Sequence, residues 1–301
     1  MAAVEQAGYA VHLVSTRDLP STGTVSIGSA TIALGHRQKV EVGHCVGVWL
    51  WHAEPPAASD ADRQVARYVE GEWKLALNAL ASVVPTNRWV NHPRALNWWE
   101  CNKIAQLEFA RNFGFLVPET LLSNDRKTIV EFASRFDKVA VKAQAAVRLE
   151  RSEGFATTFT QMCTAEELAK QGASLARAPV LVQPYLEKRM EIRATVVDSS
   201  VFLCEIDSQA SERTRVDWRR YDFDRVAHRL IADDELERKL ADFVEEAGLR
   251  YAAIDLLQTP TSEMYFLDLN PSGQFSWIEG LTGAPITDTI ARALINGGRP
   301  T

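Results

Sequence analysis

The stretch 251–274, YAAIDLLQTPTSEMYFLDLNPSGQ, constrains the chain more than any other. Two apolar runs, 252–257 and 264–269, flank a turn at Thr259-Pro260-Thr261, the pattern of a β-hairpin with a longer loop. In an antiparallel pair the start of one strand lies beside the end of the other, so Asp255 is expected next to Asp268 and Asn270. Asp268 and Asn270 are two apart and leave the same strand face. Acidic residues on a hairpin often belong to nothing more than a solvated face. Here the neighbours Ile254, Leu256, Leu257, Phe266, Leu267 and Leu269 are apolar, and carboxylates within such a run need a partner. Two carboxylates and one amide form an oxygen-only donor set. That set suits Mg²⁺, which completes its shell with water and phosphate oxygens. The following PSGQFSW is turn-forming, which puts the triad at the mouth of a sheet.

The 301 residues are enough for two or three domains. The formal net charge of −6 argues against a general nucleic-acid binder. Cys45, Cys101, Cys163 and Cys204 are scattered without metal-ligand or disulfide-framework spacing, as expected of a protein of the reducing cytoplasm. No basic segment followed by an apolar stretch opens the chain, and no run is long enough to span a bilayer. Neither export nor membrane insertion is expected.

Residues 1–55 are rich in Gly, Ser and Thr, with short β-like runs at 10–14, 24–34 and 46–51. Residues 60–83 show helical spacing, with Val65, Val69, Trp73, Leu77 and Leu80 on one face and Asp60 or Asp62 as N-cap. A first boundary falls near Pro93. A helix is expected over 98–114 and a strand over 115–122. A helix at 126–135 is capped by Ser123-Asn124-Asp125. Val139–Lys142 reads as a short apolar strand ending on lysine, and 143–154 as a mobile loop. Strands at 155–160 and 179–185, a helix at 165–176, a hairpin of 191–197 with 201–206, a polar stretch at 208–224 and an amphipathic helix at 233–248 follow. A last helix covers 286–294. The expected domains are 1–93, 94–184 and 185–301.

Several positions outside the hairpin carry chemistry. Lys142 emerges from apolar neighbours at a strand end, where an ammonium can meet a phosphate as a point charge. Glu191 and Arg193 flank Ile192 and share a strand face; Asp217 and Arg219 flank Trp218 in the same way. Arginine suits bidentate capture of carboxylate or phosphate, although such a pair alone is more often a surface salt bridge.

The ordered set Lys103, Lys142, QPYLE from Gln183, Glu191-Ile192-Arg193, Asp255 and Asp268-Leu269-Asn270 resembles the ATP-grasp superfamily of carboxylate–amine ligases. The stretches NKIAQLEFARNFGFLVPETLLSND, QPYLEKRMEIRATVV, DWRRYD and FLDLNPSGQFSWIEGLTGAPI are similar to the graspetide synthetases, the microviridin-type ligases, over about residues 88–294. The resemblance implies an α/β ATP-grasp fold with two subdomains clamping ATP and a reduced N-terminal domain. It implies that Lys103 and Lys142 hold phosphates and that Gln183, Tyr185 and Leu186 surround the adenine. Glu187 or Glu191 meets the ribose, and Asp255, Asp268 and Asn270 hold two Mg²⁺. An Asp or Glu side chain of a ribosomal precursor peptide would become an acyl phosphate. A Ser or Thr hydroxyl or a Lys amine would then displace phosphate to close an ester or amide ring.

In that scheme Arg193 stabilises the transferring group, Arg219 orients the acceptor, and Asp217 draws off the nucleophile's proton. The loop 143–154 closes over ATP. A leader helix of the precursor docks between the hairpin 195–206 and a neighbouring helix, and the family's homodimers carry the same expectation here. The chain departs from the family pattern in three places. Its N-terminal region is short and lacks the full nucleotide-fold-like half that many relatives carry. Asp268 stands where Glu is usual, and Val48-Trp49-Leu50-Trp51-His52 stands where a Trp followed by paired arginines is common. The competing readings are an ATP-grasp ligase acting on a small molecule or a protein terminus, and a non-catalytic nucleotide- or peptide-binding module.

Overall fold

The computed structural model describes residues 1–28, 31–35, 39–144, 148–151 and 154–297. Its largest element is a five-stranded antiparallel sheet ordered His228–Ile231, Ser200–Ile206, Met190–Val197, Tyr251–Gln258, Met264–Asn270. One face carries Ile192, Ala194, Val196, Leu203, Ile254 and Leu256. It packs on Leu240, Phe243 and Val244 of the helix Asp234–Glu246 and on Leu107 and Ala110 of the helix Lys103–Asn112. The other face changes character along its length. Val197, Cys204, Ile206 and Tyr251 sit in a second core with Ile286, Ile290 and Ala293 of the helix Ile286–Asn296. Glu191, Arg193 and Asp255, toward the opposite end of the same strands, are polar.

A four-stranded antiparallel sheet, ordered Gln161–Cys163, Val139–Lys142, Val180–Pro184, Leu121–Ser123, forms the second layer. Its core joins Val139 and Val182 to Ile129, Phe132 and Ala133 of the helix Arg126–Ala133 and to Leu168 of the helix Ala165–Lys170. Asp125 caps the first helix by accepting from the Thr128 amide at 2.9 Å, and Thr164 with Glu167 forms a capping box on the second. Within the stretch expected as a mobile loop, Arg148–Arg151 is a strand, paired antiparallel with Gly154–Thr157, which overlaps the strand expected at 155–160. Residues 145–147 and 152–153 of that expected lid lie outside the described residues.

The N-terminal region holds a three-stranded sheet, Thr24–Ile27, Thr31–Gly35 and Lys39–Glu41, and a parallel pair, Val48–Trp49 with Trp89–Val90. The expected run at 10–14 is not a strand. The helix Arg63–Val83 is capped by Asp62, which accepts from the Gln64 amide at 2.8 Å. Of its expected inward face only Leu80 is buried, and Val65 is exposed. Among the described residues no helix is long and apolar enough to cross a membrane.

Three further differences reshape the site. The helix expected at 98–114 is two helices, Pro93–Cys101 and Lys103–Asn112. Asn102 breaks it by accepting from the Ala105 amide at 3.1 Å as an N-cap. The strand expected at 115–122 reduces to Leu121–Ser123. Trp99, Leu107, Ala110 and Phe115 belong to the core of the five-stranded sheet, so the expected unit 94–184 is divided between the two layers. Finally, the segment after the hairpin is not only a turn: Ser276–Thr282 is helical.

Candidate active site

Strand pairing brings the charged residues together. Arg193 pairs in register with Asp255, Asp255 with Asp268, and Ala253 with Asn270. Leu256 pairs with Phe266, so Leu267 is the extra residue of a bulge beside the acidic pair. The strand Met264–Asn270 is an edge strand. It is covered rather than bare: the Phe266 amide donates to the Leu116 carbonyl at 2.8 Å. Gln106, buried, accepts from the Leu269 amide at 3.0 Å and donates to the Leu269 carbonyl at 2.8 Å and the Trp99 carbonyl at 2.5 Å. Gln106 lies one helical turn after Lys103, so its lock on the strand sets Lys103 against Asp268, with which it forms an ion pair. Buried Asn91 ties both ends of the hairpin together. It accepts from the Arg250 and Tyr251 amides at 2.7 and 2.9 Å and donates to the Tyr251 and Pro271 carbonyls at 2.7 and 2.8 Å.

A cleft of about 590 Å³ opens between the two sheets. It brings together Lys103, Lys142, Gln183, Tyr185, Leu186, Glu191, Asp217, Arg219, Asp255, Asp268 and Asn270. Of the residues singled out from the sequence, Glu187 and Arg193 are absent from its walls. Lys142 donates to Gln183 Oε1 at 2.8 Å, and Gln183 Nε2 donates to Thr120 Oγ1 at 2.9 Å. The Gln183 side chain is thus consumed in fixing Lys142. Burial lowers the Lys142 ammonium to about 8, with Asp268 opposing the shift. The Tyr185 amide donates to the Lys138 carbonyl at 2.9 Å and is not free for a ligand.

Arg193 lies just behind the cleft wall. Its Nη1 donates to Asp255 Oδ1 at 2.9 Å, and its guanidinium stands 5.7 Å from the centre of the Trp218 ring. Its Nε, and Oε2 of Glu191, are buried without a hydrogen-bond partner among the described residues. Burial raises the Asp255 carboxyl, Arg193 opposing; burial likewise raises Glu191, with Lys188 opposing. Lys188 bridges Glu191 Oε1 at 3.0 Å and the Val216 carbonyl at 2.9 Å. Sequence reasoning missed this lysine; its signal was a cation three residues ahead of a carboxylate entering a buried strand.

Asp217 differs from expectation. It caps the short helical turn Trp218–Arg220 and accepts from Arg219 through N, Nε and Nη2 at 3.1, 2.9 and 2.5 Å, and from the Thr160 amide at 2.8 Å. Burial would raise it, but the Arg219 contacts and the Thr160 amide prevail and hold it at about 2. A carboxylate with four donors and so low a pKa is a poor proton acceptor. In the hairpin expected to wall a leader groove, Thr195, Val196, Val197, Leu203, Cys204 and Ile206 are buried with helices over both faces, while Val201 and Phe202 are half-buried. Among the described residues no three His, Cys, Asp or Glu side chains converge as a metal site by themselves; the triad here is two carboxylates and an amide.

The sequence matches no family model and no curated protein. The fold has clear counterparts among solved structures. A RiPP-associated ATP-grasp ligase from Chryseobacterium gregarium, in complex with ADP and a leader and core peptide, superposes with a TM-score of 0.86 at 23% identity, over 99% of this chain and 92% of that one. This chain has the ATP-grasp fold. The macrocyclase MdnC from Microcystis aeruginosa MRC, bound with precursor peptide MdnA, gives 0.83 at 25% identity over 98% and 94%. The ATP-grasp ligase PsnB, complexed with a phosphomimetic variant of its minimal precursor, Mg and ADP, gives 0.76 at 22% over 99% and 93%. The ATP-grasp likeness runs through the N-terminal region as well as the two sheets.

Proposed function

We propose that this chain is an ATP-dependent ligase that crosslinks a ribosomal precursor peptide, joining Asp or Glu side chains to Ser or Thr hydroxyls or Lys amines. The observation that carries the reading is one cleft in which two lysines from separate elements face two carboxylates and an amide from one hairpin, with Arg219 across from them. The near full-length likeness to ligases solved with peptides favours a peptide over a small-molecule substrate.

The donor set fits Mg²⁺: all three atoms are oxygens, and Asp255 and Asp268 already hold cationic side chains at this spot. Asp255, Asp268 and Asn270 would hold the metal, which supplies charge neutralisation during phosphoryl transfer. Lys142, fixed by Gln183, and Lys103, fixed through Gln106, present ammonium groups to the phosphates. Leu186 lines the adenine end, where its amide donates to no backbone group among the described residues. Glu191, with an unpaired oxygen at the cleft wall, is the better ribose partner than Glu187. Arg193 steadies the acyl phosphate from behind. Arg219 orients the acceptor, and Asp217 is the group that aims Arg219 rather than the base. The two sheets act as the jaws of the clamp, with the division between them in the segment after Pro184. A homodimer in the cytoplasm belongs to the same reading.

The test is mass spectrometry of a short Thr- and Glu/Asp-rich peptide encoded beside this chain's gene, incubated with the protein and Mg-ATP. Loss of one water per bond with stoichiometric ADP is expected. Unchanged peptide mass with ADP formed on a free amino acid would move the reading to a small-molecule ligase.

A further inference from the structure

Two of the three proposed metal ligands are already neutralised by side chains. Asp268 is paired with Lys103, and Asp255 with Arg193. Both pairs are withdrawn from solvent, with side-chain exposures of 21% and 25% for the first and 7% and 15% for the second. Carboxylates so placed need a counter-charge, since an uncompensated buried charge is strongly unfavourable. The cations come from rigid elements: Arg193 from the adjacent strand in register, Lys103 from the first turn of a helix locked by Gln106. Arg193 is also under-used, because its buried Nε has no partner among the described residues.

We infer that Lys103 and Arg193 are built-in counter-ions that occupy the metal carboxylates until metal and nucleotide arrive together. This rests on the ATP-grasp ligase reading above. A dication alone would have to displace an ammonium and a guanidinium and leave both uncompensated. A dication carried with phosphates brings the anion that takes over Lys103, so the exchange is balanced in charge. Arg193, once released from Asp255, keeps its seat over Trp218 and gains donors for an anionic group of the substrate. The metal nucleotide therefore binds first and the substrate's anionic group second.

Mn²⁺ binding without nucleotide, followed by the electron paramagnetic resonance of the free ion near neutral pH on the full chain, tests this. Wild type binds weakly. Lys103→Met vacates Asp268 and tightens Mn²⁺ binding by about tenfold or more. Lys103→Gln, which keeps a polar head at the helix start, tightens it equally. Lys142→Met strips the same charge from the same cleft without vacating Asp268, and changes the affinity by about threefold or less. Adding Asp268→Asn to Lys103→Met returns the affinity to the wild-type value. No tightening in either Lys103 variant, or equal tightening in Lys142→Met, overturns the inference. Binding of Mn-ADP by the wild type is scored separately: its absence would sink the ligase reading itself, whatever the variants do.

Discussion

Replacing Gln106 by leucine would probe how the fold aims Lys103. Gln106 is 1% exposed and serves three backbone groups: the Leu269 amide, the Leu269 carbonyl and the Trp99 carbonyl. Leucine is close in volume, so the cavity term is small and the loss is one of hydrogen bonds. A buried backbone group left unpaired costs about 1–3 kcal/mol, so three such groups, less about 1 kcal/mol gained from a more apolar side chain, amount to roughly 2–8 kcal/mol. That is a large share of the roughly 5–15 kcal/mol that holds a typical native chain together. Urea denaturation should show a lower midpoint with an unchanged slope. Freed from the strand, the helix also loses its register with Asp268, and misplacing a positioning group by an ångström can cost about a hundredfold in rate. The KM for ATP should therefore rise in the protein that remains folded. Gln106→Glu sharpens the test: burial and the two carbonyls raise its carboxyl, and once pH is high enough to ionise it the carboxylate is as damaging as leucine. On acidification the protonated acid donates again and recovers part of the loss. A stability change below about 1 kcal/mol with an unaltered KM for ATP would refute the assignment of Gln106 as the lock.

Other outcomes follow from the same cleft. Because burial lowers Lys142 to about 8, its ammonium is present below that pH and lost above it in the nucleotide-free protein. Nucleotide phosphates favour the charged form, so binding should take up a proton above about pH 8, visible as a buffer-dependent calorimetric enthalpy, and Lys142→Met should abolish the uptake. Gly273→Ala would put a Cβ 2.5 Å from Ala253 Cβ and 2.6 Å from Arg193 Nη2. Thermal unfolding should show a loss of about 1–3 kcal/mol, and kcat should fall as Arg193 is pushed aside; an unchanged kcat would mean that Arg193 does not need that position. Asp217→Asn should raise the peptide KM more than the ATP KM and leave the acidic limb of the pH–rate profile in place, since Asp217 titrates near 2. Disappearance of that limb would make it the base after all.

The part of the site legible from sequence is the part governed by alternation. Asp255, Asp268 and Asn270 could be placed because a strand has a period of two and a hairpin fixes which ends meet. Lys142 was legible for the same reason, as the polar end of an apolar strand. What stayed hidden depends on partners distant in sequence. Asn91 reads as a turn residue, yet it serves four backbone groups about 160 and 180 residues away. Gln106 reads as one more polar position on a helix. The break at Asn102 is silent because apolar spacing continues on both sides of it, and only the cap bond to Ala105 reveals it.

The irregular segment 208–224 shows why the chemistry of a charged pair cannot be read from its spacing. Had Asp217 and Arg219 flanked Trp218 on a strand, both would have faced the cleft as independent groups, one free to accept a proton. The chain instead turns at Asp217, so the carboxylate folds back onto the Arg219 guanidinium and takes the Thr160 amide as well. Thr160 lies three residues beyond the pair of strands Arg148–Arg151 and Gly154–Thr157, and Arg220 stands 5.2 Å from the Phe159 ring. Arg219 is thereby tied, through Asp217, to the segment that leaves that pair of strands. With Asp217 spent on this task and Asp255 and Asp268 committed to cations, none of these three carboxylates is free to serve as a base. In the ligase reading, nucleophile activation then falls to the electrophile's own reactivity. That requires the exclusion of water more than a strong base, because water would compete for the same acyl phosphate.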